Sequence, residues 1–248
     1  MSVTQLRDVM YILCWRSSTI LRFNAATHQQ LTDIDIKNLR QPCDIVACEQ
    51  TSQVYVADEQ CIFRVSSDGA DIKHWLPKSP SDTFRPRSVS VTSTRLLVTS
   101  DDTRELIQFD AIGDELRRVQ LPRDIPPRHA VESPAGTFIV SHYNTQVRGQ
   151  HRVSEVNTGG EVLRQFSGSH VSPLLWASRV AVDSRGNIFL ADSRRILLLD
   201  DHLILRRVIV DERQLRYQEP HRLCYTEQSG QLFVVLYAAG VAVFDVVK

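Results

Sequence analysis

The hydrophobic positions of this chain fall into short runs separated by polar turns, most clearly within residues 177–200. The apolar runs there and just beyond cover residues 180–182, 188–191, 196–199 and 203–210. Gly186 and Asn187 lie in the first turn, and both residue types tolerate the positive φ angles of tight turns. Apolar runs this short, bounded by Gly, Asn, Asp and Ser, are typical of strands rather than helices. The stretch therefore predicts four adjacent antiparallel strands.

The same pattern recurs along the chain, in residues 44–67, 88–109, 129–156 and 221–247, with a weaker copy in 2–24. The repeats begin at Pro42, Pro86, Pro127, Ala177 and Pro220, which are 41 to 50 residues apart. One such meander cannot bury both of its faces, so copies must pack against each other. This period is typical of a propeller blade. The sequence therefore predicts an all-β protein, a six-bladed β-propeller of four-stranded antiparallel blades.

The predicted domain is a single propeller over residues 1–248. Its blades are expected at about 1–41, 42–85, 86–126, 127–176, 177–219 and 220–248. The first strand of each blade should line the central channel, near residues 2–4, 44–47, 88–91, 129–132, 179–182 and 222–225. The last repeat has room for three strands. Either the sixth blade is three-stranded, which we favour, or upstream residues of a longer parent protein complete it. In both cases the first and sixth blades should be neighbours.

The repeat resembles the NHL repeat, on the segments VAVD (180–183), GNIFLADS (186–193) and ILLLD (196–200). The resemblance extends over nearly the whole chain and implies an NHL-like propeller, a type that often has six blades. A WD-type propeller is not indicated, because no Trp-Asp pair closes a repeat. NHL propellers are often the substrate-recognition part of ubiquitin ligases of the tripartite-motif class, and similar propellers bind single-stranded RNA. The chain contains no zinc-binding RING or B-box, so a parent or partner would have to supply one.

The composition argues against several classes of protein. The 29 basic and 29 acidic residues cancel, which argues against nucleic-acid binding through overall charge. No apolar run approaches a membrane span, and the first 22 residues are too charged for a signal peptide. The five cysteines are odd in number and lack a Cys-x-x-Cys spacing, and no glycosylation sequon occurs. We therefore expect a cytoplasmic, monomeric protein with no membrane association, no bound metal and no cofactor.

Arginine makes up 25 of the 29 basic residues. Arginine forms forked contacts with carboxylates and phosphates, and it is enriched at protein interfaces, where lysine is depleted. A compositional bias of the source organism is the alternative explanation.

Arginine and histidine recur in the two positions after the first residue of each repeat. These pairs are Cys43-Asp44, Arg87-Ser88, Arg128-His129, Ser178-Arg179 and His221-Arg222. Symmetry would place them around one mouth of the channel as a partial cationic ring, which favours an anionic partner. Alternatively, each arginine pairs with a carboxylate of a neighbouring blade, such as Asp58, Asp101 or Asp192. The sequence leaves both interpretations open.

The turns between second and third strands should lie at the same end of the propeller, because the strands of a meander are antiparallel. They add the candidate binding residues Trp15, Arg16, Arg104, His142, Tyr143, Arg194 and Tyr237. Tryptophan, tyrosine and arginine dominate interface hot spots. The longest of these turns, residues 143–150, is either a functional loop or a tolerated insertion.

Three functions are compatible with this pattern. No nucleophile elbow, phosphate-binding loop or zinc-protease motif occurs, which favours a non-catalytic module that recognises a protein or peptide, possibly acidic, at the channel mouth. Single-stranded RNA binding at the same face is the first alternative, with bases stacking on aromatic and arginine side chains. A metal-dependent lactonase- or lyase-like enzyme is the second. It would require His129, His142 and His221 to meet at the channel.

Overall fold

The structure is a computed structural model that describes residues 1–76, 85–100, 102–145, 147, 150–168, 174, 177–236 and 240–246. Those residues form 23 strands and no helix, so the described part of the chain offers no helical segment that could cross a membrane. The strands form six separate antiparallel sheets, each a meander in sequence order. The predicted six-bladed β-propeller is therefore confirmed.

The first three blades have four strands each. Blade one comprises β1 (Ser2–Leu6), β2 (Val9–Leu13), β3 (Thr19–Asn24) and β4 (Ile34–Asp35). Blade two comprises β5 (Pro42–Cys48), β6 (Gln53–Asp58), β7 (Ile62–Ser66) and β8 (Ile72–Leu76). Blade three comprises β9 (Ser88–Thr92), β10 (Arg95–Ser100), β11 (Glu105–Phe109) and β12 (Glu115–Gln120).

The last three blades follow the same order, and the sixth has three strands within the described residues. Blade four comprises β13 (Pro127–Glu132), β14 (Phe138–Tyr143), β15 (His151–Val156) and β16 (Val162–Phe166). Blade five comprises β17 (Ala177–Val182), β18 (Ile188–Asp192), β19 (Arg195–Leu199) and β20 (Leu205–Val210). Blade six comprises β21 (Pro220–Thr226), β22 (Gln231–Leu236) and β23 (Gly240–Asp245). All six inner strands contain the segments predicted for them, and the sixth blade is three-stranded as favoured.

The ring is closed by contact between blades six and one. Each inner strand contacts the next around the channel, including β21 with β1. Six clusters of buried hydrophobic side chains fill the spaces between neighbouring blades of the described structure. The closing cluster packs Val3 and Ile12 of blade one against Phe233 and Val235 of blade six. The alternating apolar runs of the sequence thus become the interfaces between blades.

A β-bulge near the start of four inner strands changes the expected symmetry of the site. The register shifts between Pro42 and Asp44, and likewise in β13, β17 and β21. A bulge inserts one extra residue and redirects the side chains beside it. The two positions after the first residue of each repeat therefore lie in different environments. We call the end of the propeller where the inner strands begin the bulge face.

Candidate binding site at the channel mouth

Six equivalent residues, one from each inner strand, surround the channel just inside the bulge face. They are Ser2, Asp44, Ser88, His129, Arg179 and Arg222, and we call them the channel ring. Five are buried and Arg222 is largely buried. The ring is therefore a buried polar layer at the channel.

Asp44 is the hydrogen-bonding centre of the channel ring. Its carboxylate accepts hydrogen bonds from Ser2 Oγ at 2.7 Å, from Arg179 Nη1 at 3.1 Å and from the backbone N–H of Val89 at 3.2 Å. Arg222 Nε lies 3.6 Å from Asp44 Oδ1. These contacts come from four other blades, so a single carboxylate connects most of the ring.

The channel ring holds two guanidinium groups for one carboxylate. Burial alone would raise the pKa of Asp44, but Arg179 and Arg222 outweigh that effect and hold it below the ordinary aspartate value. Burial, followed by repulsion from Arg222, lowers the pKa of Arg179 to about 9. At neutral pH both arginines are still charged, and the ring carries an excess of positive charge.

His129 adds no charge to this layer. Its Nδ1 lies 3.4 Å from the backbone N–H of Val180 and accepts that hydrogen bond, which requires an unprotonated nitrogen. Burial, followed by the charge of Arg179, lowers the pKa of His129 to about 3. The histidine is therefore neutral across the physiological range.

Two cavities adjoin the channel ring, and Ser2 and Arg222 line both. The channel cavity, of about 450 Å³, runs along the inner strands and ends at Glu132, Pro134 and Ser184, at the opposite face. The mouth cleft, of about 970 Å³, lies on the bulge face. The channel ring thus separates an inner cavity from an outer cleft.

The mouth cleft brings together Trp15, Arg87, His221 and Arg222, four of the residues predicted from the sequence. Trp15 is 65% exposed, and the guanidinium of Arg16 lies 4.3 Å from its ring centroid. Arg87 is exposed. Burial, followed by the charge of Arg222, lowers the pKa of His221 to about 4, so it contributes no charge at neutral pH.

The cleft also contains charged residues that are not among the predicted binding residues. Arg85 lines the cleft, and its Nε lies 3.9 Å from Asp102 Oδ2. Glu59 adds a second acid to the wall of the cleft. The cleft is therefore amphipathic and mixed in charge, with an exposed aromatic ring at one side.

Other predicted site residues lie outside the cleft. Arg128 stacks on Tyr143, with 5.5 Å between the guanidinium carbon and the ring centroid. Arg104 is half-buried in the turn between β10 and β11, and Arg194 is exposed between β18 and β19. Tyr237, Asp101 and Arg148 fall outside the described residues.

The prediction for His142 is wrong in its placement. His142 lies inside β14 rather than in a turn, and it is buried. Its Nε2 lies 2.8 Å from Ser154 Oγ, and burial lowers its pKa to about 4. His142 therefore contributes to the packing of blade four and is not available at the channel mouth.

The predicted single ring of arginines is also corrected by the structure. Arg87 and Arg128 occupy the first of the two positions after the start of a repeat, whereas Arg179 and Arg222 occupy the second and belong to the channel ring. Adjacent residues of a strand point in different directions, so the two positions do not share one environment, and the bulges in four of the inner strands add to the difference. Two arginines are thus accessible or stacked, and two are buried.

Two of the three expected carboxylate partners have other contacts in the described structure, and the third, Asp101, lies outside it. Asp58 accepts hydrogen bonds from the backbone N–H groups of Arg40 and Gln41, and Asp192 pairs with Arg195 of its own blade. The observed partner, Asp44, was present in the sequence pattern as the acidic member of an otherwise basic set. Its distinct charge at an equivalent position was the signal that could have identified it.

The metal-site alternative is not supported by the arrangement of side chains. In the described structure, the group of potential ligands close enough to share an ion is Asp200, Asp201 and His202, on the turn between β19 and β20. His129, His142 and His221 do not form such a group among these residues. In the channel ring, the carboxylate of Asp44 is already shared by two guanidiniums.

Comparison with known proteins gives the fold and no family. No protein-family model matches the chain, and no curated protein matches its sequence. Among solved structures, it is similar to a catalytically inactive virginiamycin B lyase from Staphylococcus aureus with quinupristin, with a TM-score of 0.71 and 13% identity over 99% of this chain and 80% of that one.

Two further structures show the same likeness. Hydrazine synthase of Kuenenia stuttgartiensis gives a TM-score of 0.66 and 14% identity over 99% of this chain and 83% of that one. A protein of unknown function from Bacteroides caccae gives a TM-score of 0.72 and 12% identity over 96% of this chain and 89% of that one. At such identities the likeness concerns the fold alone. The chain is therefore a six-bladed β-propeller, and no comparison assigns it to a family.

Proposed function

We propose that this propeller is a non-catalytic binding module that recognises an acidic segment of a protein or peptide in the mouth cleft. The observation that carries the proposal is the convergence of Trp15, Arg87 and Arg222 on one cleft of about 970 Å³. We further propose that its repeats are of the NHL type and that it acts as a cytoplasmic monomer. The five cysteines, all free thiols, agree with that location.

The geometry supports a ligand with both an acidic and an apolar part. Arg87 is exposed and can offer a forked contact to a carboxylate. Trp15 offers a large rigid surface at a low entropic cost, which is why tryptophan is enriched in hot spots. Behind them, the excess positive charge of the channel ring raises the potential of the cleft, and low-dielectric walls strengthen that effect.

Single-stranded RNA is the alternative ligand for the same face. It is favoured by two aromatic side chains with an arginine stacked on each, Trp15 with Arg16 and Tyr143 with Arg128. Bases stack on such surfaces, and their phosphates would meet the same arginines. The net charge of zero gives no general attraction for a polyanion, so we favour the peptide.

Fluorescence anisotropy with three labelled probes tests the proposal. The probes are an oligoglutamate peptide carrying one leucine, the same peptide with glutamine in place of glutamate, and a single-stranded RNA of mixed sequence. We expect the acidic peptide to bind at least about tenfold more tightly than the glutamine peptide, which corresponds to about 1.4 kcal/mol. Equal affinity for the two peptides would refute acidic recognition.

Variants then locate the site. Arg87→Glu and Trp15→Ala should each weaken binding of the acidic peptide, because both remove an exposed contact group without disturbing the core. Arg117→Glu, which reverses an exposed arginine on the outer strand β12, is the matched control and should bind like the wild type. If the RNA binds instead and Arg87→Glu abolishes that binding, the alternative replaces the proposal.

A further inference from the structure

Arg179 is a buried cation that uses few of its hydrogen-bond donors. Its side chain is 4% exposed, and among the described residues its hydrogen bond is the one from Nη1 to Asp44. Its Nε has no hydrogen-bond partner there. A guanidinium has five N–H donors, and buried donors are almost always satisfied in native proteins. The side chain therefore has unused capacity for an acceptor.

Arg179, with its unused hydrogen-bond donors, lines a cavity. Arg179 lines the inner end of the channel cavity, which opens toward the face opposite the mouth cleft. The walls between the two ends include Val46, Val91, Val131 and Val182. Ligand pockets are commonly about 300–1,000 Å³, mainly apolar, with a few polar groups that fix orientation. A volume of about 450 Å³ falls within that range.

The charges of the cavity decide which ligand fits. Asp44 is already shared between Arg179 and Arg222, so within the channel ring, all of whose members are described, two positive charges face one negative charge. Glu132, at the other end, does not supply it, because its carboxylate lies 3.0 Å from Arg95 Nη2 and accepts a hydrogen bond from Gln108 at 2.8 Å. An anionic group near Arg179 would balance the charge, whereas a neutral molecule would not.

We propose that the channel cavity is a binding site for a small organic carboxylate, distinct from the mouth cleft. The carboxylate accepts hydrogen bonds from Arg179, and the apolar body of the ligand packs against the valines of the inner strands. The ligand enters from the face opposite the bulge face. The site does not require the proposed recognition of a peptide, although Ser2 and Arg222 line both cavities and the two sites share the charge of the channel ring.

Calorimetric titration of the full chain with benzoate, cyclohexanecarboxylate and benzamide tests this site. Both carboxylates should bind saturably, and benzamide, which has a similar shape and no charge, should bind at least tenfold more weakly. Equal binding of benzoate and benzamide, or no binding of either carboxylate, would overturn the proposal. The oligoglutamate titration is run in parallel, so that failure at one site is distinguished from failure at the other.

Two variants report on the site in different ways. Arg179→Met removes the cation and keeps the approximate volume, while Asp44 retains Arg222 as a partner. Val131→Phe fills the cavity and leaves the channel ring intact. Each should weaken benzoate binding at least tenfold, with folding checked by circular dichroism and the exposed-surface variant Arg117→Glu as the control. Benzoate binding at wild-type affinity in Val131→Phe would place the ligand elsewhere and refute the proposal, even if Arg179→Met failed to fold.

Discussion

Arg179 of blade five and Asp44 of blade two form a buried ion pair across the central channel, with 3.1 Å between Nη1 and Oδ2. The two residues are 135 positions apart in the sequence, and their blades are opposite each other in a ring of six. Because Arg222 of blade six approaches the same carboxylate, the three charges form a triad with one anion and two cations. Its members are therefore unequal in their importance for stability.

We expect Asp44→Ala to be the most destabilising change in this triad. It removes the common acceptor and leaves two buried guanidiniums without a counter-charge, which typically costs about 3–5 kcal/mol. Arg179→Met should cost less, because Arg222 still compensates Asp44 and the repulsion between the two cations is relieved. Urea denaturation at neutral pH measures both free energies of unfolding.

The control for these variants is Arg117→Ala. Arg117 is exposed on the outer strand β12, so its loss should cost at most about 1 kcal/mol. If Arg179→Met destabilised the protein more than Asp44→Ala, the assignment of Asp44 as the shared partner would be wrong.

Acid should destabilise the protein well above the range in which carboxylates titrate. The pKa of His129 is lowered to about 3 and that of His142 to about 4, chiefly by burial, from an ordinary value of 6.5. Below pH 6.5 the unfolded chain binds protons at these positions and the folded chain does not, so stability falls as the pH decreases toward 4. Between pH 7 and pH 5 each histidine accounts for a loss of roughly 2 kcal/mol.

The matched variants for this effect are His129→Gln and His202→Gln. The free energy of unfolding of His129→Gln should fall less between pH 7 and pH 5, by roughly the 2 kcal/mol of one buried histidine. His202→Gln replaces an exposed histidine and is the control for the substitution itself. The same fall in the free energy of unfolding between pH 7 and pH 5 in the wild type and both variants would contradict a neutral, buried His129.

Gly160 should tolerate no side chain because of a contact between blades three and four. It has a φ of +89°, and a Cβ atom there would overlap the carbonyl oxygen of Gln120 in β12. Gly136 has a similar φ of +78°, with no atom within 4 Å of the corresponding Cβ position. Alanine at either site incurs about 1–2 kcal/mol of backbone strain, and overpacking adds about 1–3 kcal/mol at Gly160 alone.

Thermal melting of Gly160→Ala and Gly136→Ala compares the two sites directly. A larger loss for Gly160→Ala is the expected result, since the backbone strain is common to both variants. Equal losses would show that the turn of blade four does not contact β12 as closely as described.

Removal of residues 241–248 should unfold the whole domain. This deletion takes away most of β23, which pairs with β22 and contributes Ala242 and Phe244 to the cluster between blades five and six. Val241 packs in the cluster that closes the ring. Circular dichroism and melting of the shortened chain, beside a chain lacking only residues 247–248, provide the measurement. An unchanged melting temperature in the longer deletion would be incompatible with a closed ring.

The sequence by itself determined the repeat, the strands and the order of the blades. These depend on local features, namely apolar runs of strand length and turns rich in Gly, Asn, Asp and Ser, which act within a few residues of each other. For that reason all six inner strands were predicted, and the structure places Trp15 and Arg87 in the mouth cleft. The boundary between a strand and a turn is less well determined by the sequence, and His142 was therefore expected in a turn although it lies in β14.

The tertiary structure alone decided which charged residues meet. The bulges near the start of four inner strands shift the register by one residue, and nothing in the hydrophobic pattern marks them. Two neighbouring positions that look equivalent in the sequence thus become an outer and an inner set. The pairing of Asp44 with Arg179 then follows from closure of the ring, which brings opposite blades together across the channel. Such a contact has no local signature, because its partners are related only by the geometry of the whole propeller.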